Sequence, residues 1–600
     1  MVAVSFVLVL ALVSSTVVAL PGANGFASLL DYSEQKTTLD PLEISTKSVY
    51  EWTPLSEETL TPNSDEDPVD IGIKYLVQQL NLQPDEFKMR TSFTDRFGVT
   101  HLYGMSLHEE LPIGNLHAAA HIKNGQVFFY STTLIVDDQV LTKRSPTISE
   151  STVKISSEDA VKSPTIPEST VEISSEDAVK AAVDCLGVPF YPDIAPVMES
   201  YETDNGNIFV WVFQLRDNLI TQWLEVKVDA NTGKYIVSKE DVKRGFTYTV
   251  VKLPNESPYD GFSTIVNPEN LKSSPSGWTK GYRLTGNNVW ASAEEGTPFE
   301  TATEGMFDMD FDPTLPPQTP SNVVAGVINA FYVANTFHDI TYQYGFNERA
   351  GNFQEDNFKR GGIGGDPVII SVQNGKEQNN AHFQTPSDGE PGVLNLHIYT
   401  DTKPNRDSAL DNTIIVHELT HGVSDRLTGG AHEDLCMAEI ESHGLSEGYS
   451  DMMALVFTAK PEDSRDTIRA MGEYVKGDPR GVRKYPYTTD IKVNPLTYKD
   501  AIGEKDKHNL GTIWAAMLLE VYWNLVDAYG FSENLHDATQ EKGNIIFLQL
   551  FVGTLMIQPC NPTFESAYDA MLAADDAYYG GINKHLIREG FAKRGLGSIS

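Results

Sequence analysis

Apolar residues first recur with a regular period about seventy residues from the start of the chain. Residues 71–81 carry apolar side chains at helical spacing. Residues 101–136 then contain runs such as HLYGMSL and VFFYSTTLIV, which are typical of strands. Between residues 20 and 70, polar residues and prolines are frequent without a sustained period, so we expect a leader or linker there. The pattern predicts a small α+β domain over residues 71–140.

A tandem duplication follows this domain. Residues 145–162 recur almost letter for letter at 163–180. The second copy continues into SSEDAVKAAVDCLG, where a serine N-cap, acidic residues in the first turn and a glycine after the apolar stripe predict a helix. Two strand patterns come next. We therefore expect a linker carrying the duplicated segment over residues 141–162 and a second α+β domain over 163–244.

The rest of the chain changes character near residue 410. Residues 245–410 show strand signals separated by many Gly, Pro and Asn turns, with one helical segment near 321–343. Helical patterns dominate residues 411–600. This order predicts a β-rich lobe followed by a helical lobe, with a cleft between them.

The first charged side chain of the chain is Asp31, and an almost unbroken apolar run extends from Val2 to Val13. That run is shorter than the roughly 20 residues that span a bilayer, so residues 1–19 are predicted to be a signal peptide rather than an anchor. No later window is long and apolar enough to cross a membrane. We therefore expect a secreted, extracellular protein with no membrane partner.

Charge and cysteine content narrow the picture further. The 600 residues include 45 Lys and Arg against 83 Asp and Glu, a formal net charge of −38, which disfavours nucleic acid as a partner. We expect a monomer of several domains. The three cysteines, Cys185, Cys436 and Cys560, are too few to form a disulfide framework. Cys436 and Cys560 could form a disulfide or remain as two buried thiols.

The sequence HELTH at residues 417–421 carries the clearest chemistry. On a helix, His417 and His421 project from one face, because four residues make slightly more than one turn, and two imidazoles can then share one Zn²⁺. Glu418 lies beside them, where it can polarise a metal-bound water without being a ligand. Asp411 or Asn412 supplies an N-cap for this helix. Two histidines at this spacing can also occur by chance. A third ligand is therefore needed to distinguish a zinc site from a chance match.

A third donor must come from elsewhere in the chain. Ser424 and Leu427 stand where a metzincin has Gly and His, which excludes that class. SEGYSD at residues 446–451 opens a second helical pattern, with Glu447 and Asp451 on one face. Glu447 can complete a His₂Glu site, and Asp451 can bond the distal nitrogen of a ligand histidine. The rival donors are His432, Glu439, Glu441 and His443.

Several strings of the second half resemble the fungalysin family, the fungal branch of secreted thermolysin-like zinc metalloendopeptidases. They are HELTHGVSDRLTGG, SEGYSD, GVRKYPY, IQPCNPTF and GFAKRGLG, and the likeness covers about residues 246–597. Residues 71–136 resemble the family's propeptide domain and 157–238 a PepSY-type domain, although HEELPIGNL departs from the usual propeptide core. The resemblance implies an α+β, thermolysin-like two-lobed metallopeptidase preceded by an α+β propeptide.

The resemblance also implies roles for individual residues. The metal ligands would be His417, His421 and Glu447, and the general base would be Glu418. His508, in KDKHNLG, would stabilise the oxyanion, and Arg483, in GVRKYPY, would grip the substrate carbonyl, although the residues alone also fit a loop histidine and a solvated arginine. NNAHF at residues 379–383 resembles the family's edge strand, in which Asn380 and Ala381 would pair with substrate. His585 stands where the family often has Cys, so a family disulfide need not be shared.

Together these features predict a secreted zymogen that binds one Zn²⁺ and hydrolyses internal peptide bonds of extracellular proteins, with its own propeptide as inhibitor and folding aid. The alternatives are a zinc aminopeptidase and a catalytically inactive binding protein of the same fold. Lys243 and Arg244 form a dibasic pair at a domain boundary, where proteolytic processing is expected. Asn255 begins an N-glycosylation sequon, although Pro258 after it disfavours its use.

Overall fold

The computed structural model describes most of the chain outside the N-terminal segment. The described residues are 46–55, 66–108, 111–135, 173–190, 196–203, 206–216, 223–233, 235–241, 246–279, 281–293, 299–301, 303, 305–432 and 435–597. The predicted signal peptide, the first copy of the duplication and the Lys243-Arg244 pair lie outside them. Among the helices of the described residues, none has the length and apolarity needed to cross a membrane. The secondary structure is a mixture of helices and sheets.

Five antiparallel strands and one helix form the first folded unit. The strands are β1 (Thr46–Trp52), β2 (Phe87–Thr94), β3 (Val99–His108), β4 (Leu111–Lys123) and β5 (Gln126–Ile135), in the order β1-β5-β4-β3-β2. Helix α1 (Pro68–Gln79) lies on this sheet and buries Leu76 against it. Asp67 caps the helix by accepting a hydrogen bond from the Val69 N–H at 2.8 Å. The predicted helix and strands of this segment are therefore present.

Strand β1 corrects one predicted boundary, because the leader or linker expected over residues 20–70 is wrong for Thr46–Trp52. The strand pairs with β5, with Tyr50 opposite Ser131. The Tyr50 ring stacks on Phe129 at 5.5 Å, and its hydroxyl donates to Asp569 Oδ2 at 2.7 Å. Val49, Tyr50 and Trp52 are residue types that favour strands, but the partners that stabilise this strand are distant in sequence.

The second unit is also α+β. It contains α2 (Ser175–Leu186) and the antiparallel strands β6 (Val197–Thr203), β7 (Gly206–Arg216), β8 (Trp223–Asp229) and β9 (Tyr235–Asp241). Ser174 caps α2 by accepting from the Asp177 N–H at 3.1 Å, and Gly187 ends the helix with a φ of +70°. These are the caps that the sequence predicts. A separate hydrophobic core forms around Trp211, Phe213 and Val226.

The β-rich half follows. Its elements are β10 (Thr247–Val250), β11 (Ser263–Val266), β12 (Val289–Ala293), β13 (Met306–Phe307), α3 (Pro320–Tyr344), β14 (Val368–Val372), β15 (Ala381–Gln384), β16 (Val393–Leu396), β17 (Ile398–Tyr399) and β18 (Arg406–Asp407). Strands β12, β14 and β16 are parallel, and β15 joins β16 antiparallel at the end of that sheet. Strand β15 is therefore an edge strand. The long helix α3 is buried along most of its length.

Helices make up the last part of the chain. They are α4 (Asn412–Leu427), α5 (Ile440–Phe457), α6 (Glu473–Lys476), α7 (Tyr498–Ala501), α8 (Lys507–Tyr529), α9 (Gly543–Ile557), α10 (Phe564–Tyr579) and α11 (Lys584–Lys593). Helix α5 packs between α4 and α8. It begins at Ile440 rather than at Ser446, so the predicted start was wrong. Its N-cap residue, Glu439, makes no side-chain capping hydrogen bond. Glu is not one of the preferred N-cap residues, so the sequence carries no capping signal at this start.

Cys436 and Cys560 form a disulfide that closes a loop of 124 residues. This decides between the two possibilities that the sequence leaves open. The bond joins the segment before α5 to the segment between α9 and α10. The first β-sheet contacts the same region, because Ser48 of β1 donates a hydrogen bond to the Cys560 carbonyl.

Candidate metal centre

Helix α4 carries the HELTH sequence at the floor of a cavity of about 940 Å³. Asp411 begins the helix by accepting a hydrogen bond from the Thr413 N–H at 3.2 Å. Ile415 and Val416 are fully buried, so the helix is held firmly on its apolar side. The rings of His417 and His421 lie 4.9 Å apart on the other side. The cavity is lined by residues of β15, α4, α5, the 471–484 segment and the start of α8.

Glu447 of α5 meets both histidines. Its Oε2 lies 3.3 Å from His417 Nε2, and its Oε1 lies 3.9 Å from His421 Nε2. Two ligand atoms that each lie about 2.1 Å from a tetrahedral zinc ion are roughly 3.4 Å apart. The three donor groups therefore fit one Zn²⁺. A carboxylate oxygen of Glu418 lies within 4.8 Å of both histidines, close enough to act on a group bound beside them.

The outer nitrogen of each histidine has a partner of its own. His417 Nδ1 lies 2.7 Å from Asp451 Oδ1, as the sequence predicts. His421 Nδ1 lies 2.9 Å from Ser446 Oγ, which in turn contacts Ser424 Oγ at 3.0 Å. Such bonds fix the ring orientation and leave Nε2 free for a metal. Sequence reasoning missed Ser446, although its place one residue before Glu447 in SEGYSD was a usable signal.

Arg483 binds the acidic residues of the site. Its Nε donates to Asp451 Oδ2 at 2.8 Å, and its Nη2 donates to Asp451 Oδ1 at 2.9 Å and to Glu447 Oε2 at 3.3 Å. Tyr487, which sequence reasoning also missed, donates its hydroxyl to Asp451 Oδ2. Arg483 is 10% exposed and lines the cavity. A role toward substrate stays a prediction.

His508 lies at the rim of the cavity, in the first turn of α8. Its side chain is half exposed, and its Nε2 lies 3.7 Å from Glu447 Oε1. Lys507 was not predicted from the sequence, yet its Nζ lies 2.9 Å from the same Glu447 oxygen and 3.1 Å from His443 Nε2. His443 also lines the cavity itself. Glu441 is engaged elsewhere, because it accepts the Phe564 N–H at 2.8 Å, and neither His432 nor Glu439 lines the cavity.

Two glycines allow α5 and α8 to approach closely beside Glu447. A Cβ added to Gly448 would lie 2.6 Å from the carbonyl oxygen of Gly511, and one added to Gly511 would lie 2.5 Å from Glu447 Cβ. Both contacts involve rigid atoms, so a side chain at either position would push the helices apart. The start of α8, with His508, is therefore held against Glu447 on α5.

Burial and neighbouring charges separate the pKa values of the group. Burial raises the pKa of Glu418 to about 7 and lowers the pKa of His421 to about 3. Burial also disfavours protonation of His417, but hydrogen bonds to Asp451 and Glu447 outweigh it and raise the pKa to about 9. For Glu447, burial is likewise outweighed by the two histidines and Arg483, which hold its pKa well below the usual range. Glu418 can therefore exchange a proton near neutral pH.

Strand β15 forms one wall of the cavity. Asn380 and Ala381 both line it, and among the described residues β15 pairs with β16 along one side only, with Ala381 opposite Leu396. An edge strand presents backbone N–H and C=O groups to whatever lies beside it. Asn380 Nδ2 donates to Glu377 Oε2 at 2.7 Å.

The predicted glycosylation site, Asn255, does not line the cavity, and its side-chain amide already makes a hydrogen bond within the protein. Asn255 Nδ2 donates to the Asp260 carbonyl at 3.2 Å, and Ser257 is 4% exposed. A glycan on Asn255 would have to break that hydrogen bond.

Comparison with known proteins identifies a family and several relatives. The family model described as "Fungalysin metallopeptidase (M36)" matches residues 247–600. The chain is 37% identical over 412 residues to an extracellular metalloproteinase MEP of Neosartorya fischeri. The matched region covers 66% of this chain and 65% of that protein. It is 38% identical over 401 residues to an extracellular metalloproteinase mep of Aspergillus niger, covering 64% and 63%. It is 39% identical over 393 residues to extracellular metalloproteinase 1 of Trichophyton equinum, covering 62% and 64%.

The chain thus spans slightly less than two thirds of the length of these relatives. Among solved structures, the Bacillus megaterium YpeB C-terminal domain matches with a TM-score of 0.10 and 12% identity, over 30% of this chain and 67% of that chain. A TM-score this low says nothing about the fold.

The third ligand can be tested by removing it. Glu447→Ala should lower the zinc content after dialysis from about one ion per chain to a small fraction, because two histidines alone bind zinc weakly. Metal analysis by mass spectrometry is the measurement. Glu441→Ala, on the same helix but bonded to Phe564, is the matched control and should retain the ion. If the Glu447→Ala protein still retained about one zinc ion per chain, Glu447 would not be a ligand.

The raised pKa of His417 predicts a proton release. At pH 8, which is below the His417 pKa of about 9, the metal-free His417 ring is mostly protonated. The His421 ring, with a pKa of about 3, is already neutral. Zinc binding requires the lone pair of His417, so nearly one proton should leave per ion bound. Calorimetry in two buffers of different ionisation enthalpy measures this number. Asp451→Asn removes the charge that favours the protonated ring and should reduce the release; equal release from both proteins would contradict the assignment.

Proposed function

The chain belongs to the fungalysin metallopeptidase family (M36), and we propose that it is a secreted zinc metalloendopeptidase that is made as a zymogen and cleaves internal peptide bonds of extracellular proteins. The observation that carries this proposal is the convergence of His417, His421 and Glu447 beside Glu418 at the floor of a cleft with an edge strand for its wall. The fold that accompanies it is a thermolysin-like pair of lobes, β-rich and helical, preceded by a propeptide. The enzyme acts as a monomer outside the cell.

Each residue of the centre has one task. His417, His421 and Glu447 would hold Zn²⁺, which when bound would act as a Lewis acid toward the substrate carbonyl. Glu418, with its pKa of about 7, accepts a proton from the attacking water and passes it to the leaving nitrogen. Asp451 keeps His417 in the tautomer whose Nε2 faces the metal, and Arg483 and Tyr487 hold Asp451 in place.

His508 stabilises the negative charge that develops on the substrate oxygen. Its position at the rim, half exposed and next to the metal ligands, allows a neutral imidazole N–H to donate to that oxygen. Burial lowers its pKa, so the ring is neutral at the pH where Glu418 is deprotonated. Arg483 lies deeper and reaches substrate only at its cavity-facing side.

The edge strand favours endopeptidase action. A substrate in extended conformation adds to β15 by backbone hydrogen bonding, with the side chain of Asn380 beside it. Such pairing engages residues on both sides of the scissile bond, so it does not need a free N-terminus. The aminopeptidase alternative requires a site for that terminus, and the inactive alternative does not explain the complete set of ligands and the base.

The first folded unit supports the zymogen proposal. Its sheet contacts the helical half at α9 and α10: Tyr103 OH donates to the Met556 carbonyl at 2.8 Å, and the Phe97 ring stacks on Tyr578 at 4.0 Å. These contacts lie on helices that do not line the cavity. A propeptide held in this way can assist folding of the helical half before it is removed. We place its removal at the Lys243-Arg244 pair.

The base can be tested without disturbing the metal. Glu418→Gln should retain zinc and fold but lose about 10²–10⁴-fold or more in kcat/KM, because the amide cannot accept the proton. An internally quenched peptide blocked at both ends is the substrate, and Glu441→Gln is the control that should keep full activity. Turnover near the wild-type value would contradict the mechanism. Stepwise shortening of unblocked peptides with no cleavage of blocked ones would identify an aminopeptidase instead.

Processing can be tested with the two dibasic pairs of the chain. Replacing Lys243 and Arg244 by Ala should leave an unprocessed precursor, whereas the same change at Lys143 and Arg144 should not. N-terminal sequencing of the active wild-type species should give Gly245. An active enzyme that still begins near Leu20 would show that the first 240 or so residues are a permanent accessory part.

A further inference from the structure

A second group of potential metal ligands lies beside the cleft, on the sheet that carries the edge strand. Glu377, His382 and His397 each offer one ligand atom, and these atoms lie within 4.8 Å of one another. His382 of β15 pairs with Asn395 of β16, and His397 follows Asn395 by two residues. His397 lies between the end of β16 and the start of β17, and the distance between the two rings shows that it lies beside His382. Their ring centroids are 5.5 Å apart.

His397 has the features of a metal ligand. The residue is fully buried, and its Nδ1 lies 2.6 Å from the Asn374 carbonyl oxygen. A carbonyl can only accept, so Nδ1 carries the proton and Nε2 keeps its lone pair. Within the described residues, this Nε2 is buried without a hydrogen-bond partner. Leaving a buried acceptor unpaired is unfavourable, and a bound cation at Nε2 would remove that cost.

The other two groups supply a suitable donor set. His382 is half-buried, and its Nε2 lies 3.1 Å from Asn395 Nδ2, a bond that orients the ring and that a metal at this nitrogen would replace. Glu377 is exposed, and its carboxylate accepts a hydrogen bond from Asn380 Nδ2. Two neutral imidazoles and one carboxylate suit divalent ions of the zinc type.

We propose that Glu377, His382 and His397 form a second binding site for a divalent transition-metal ion, separate from the His417, His421 and Glu447 centre. The two sites share no residue. Waters would complete the coordination, because Glu377 is exposed and the site opens on its side.

Occupancy of this site would act on the substrate strand. Glu377 accepts the Asn380 side chain through Oε2 at 2.7 Å, and the Asn379 N–H donates to the Ile398 carbonyl at 3.0 Å. An ion between Glu377 and His397 would therefore tie the turn before β15 to the segment that runs into β17. Asn380 lines the cleft from that turn. We expect the bound ion to change KM more than kcat, since it bears on substrate pairing and not on Glu418.

The test counts zinc ions and does not depend on activity. Calorimetric titration of Zn²⁺ into metal-free wild-type protein should show two equivalents, a tight one and a weaker one. Glu377→Gln, an exposed change that should leave the fold intact, should raise the Kd of the weaker equivalent at least tenfold. His397→Gln and His382→Asn should abolish it and keep the tight one. His585→Asn, an exposed histidine on α11, is the matched control and should bind two ions.

The outcomes separate this proposal from the proposed function. Glu447→Ala should lose the tight equivalent and keep the weaker one, so failure of the catalytic assignment would still leave the second site measurable. A wild-type protein that saturates at one zinc ion would overturn the proposal. So would a weaker equivalent that survives unchanged in both Glu377→Gln and His397→Gln. Circular dichroism of every variant guards against loss of fold as the cause.

Discussion

The buried carboxylate of Asp451 is the interaction on which the candidate centre depends. It is fully buried, and it accepts hydrogen bonds from His417, Arg483 and Tyr487. Burial opposes its charge, but Arg483 and His417 outweigh that cost and hold the pKa of Asp451 below its usual range. An ionised carboxylate at this depth is tolerated only with such partners, and removing one of them would leave a buried charge uncompensated. Orientation of His417 is thus fixed by charge pairing rather than by packing alone.

Close packing of helices supplies the second constraint. Gly448 of α5 and Gly511 of α8 face each other without room for a side chain on either, and Gly444 similarly faces Leu510. These contacts fix the distance between the helix that carries Glu447 and the helix that begins at His508. The ligand and the proposed oxyanion residue therefore keep one geometry, because packed cores resist small displacements. Helix α4 carries the two histidines of the metal centre. Helices α5 and α8, which carry Glu447 and His508, are held together by the glycine contacts.

The N-terminal sheet gives the chain a contact that is independent of the cleft. Tyr50 reaches Asp569 on α10, and Tyr103 reaches the last turn of α9, while Phe97 stacks on Tyr578. These are aromatic residues with a polar group or a π face at the interface, and they combine apolar burial with directional bonds. Helices α9 and α10 are also joined to the start of α5 through the Cys436–Cys560 disulfide. A propeptide at this surface would contact α9 and α10, the helices that the disulfide joins to the start of α5.

The sequence by itself determined the features that depend on near neighbours in the chain. The caps of α2 and the common face of His417 and His421 follow from hydrogen bonds and helical periodicity within a few residues. For α4 the sequence offered Asp411 or Asn412 as the N-cap, and the structure shows Asp411. Tertiary structure alone decided the features that join distant segments. The start of α5 lacked a capping signal, and β1 needed partners from α10. The pairing of β15 with β16 brought His382 near His397, and packing of α8 on α5 brought Lys507 to Glu447. Register and packing are set by the burial of whole faces, which no local pattern of residues contains.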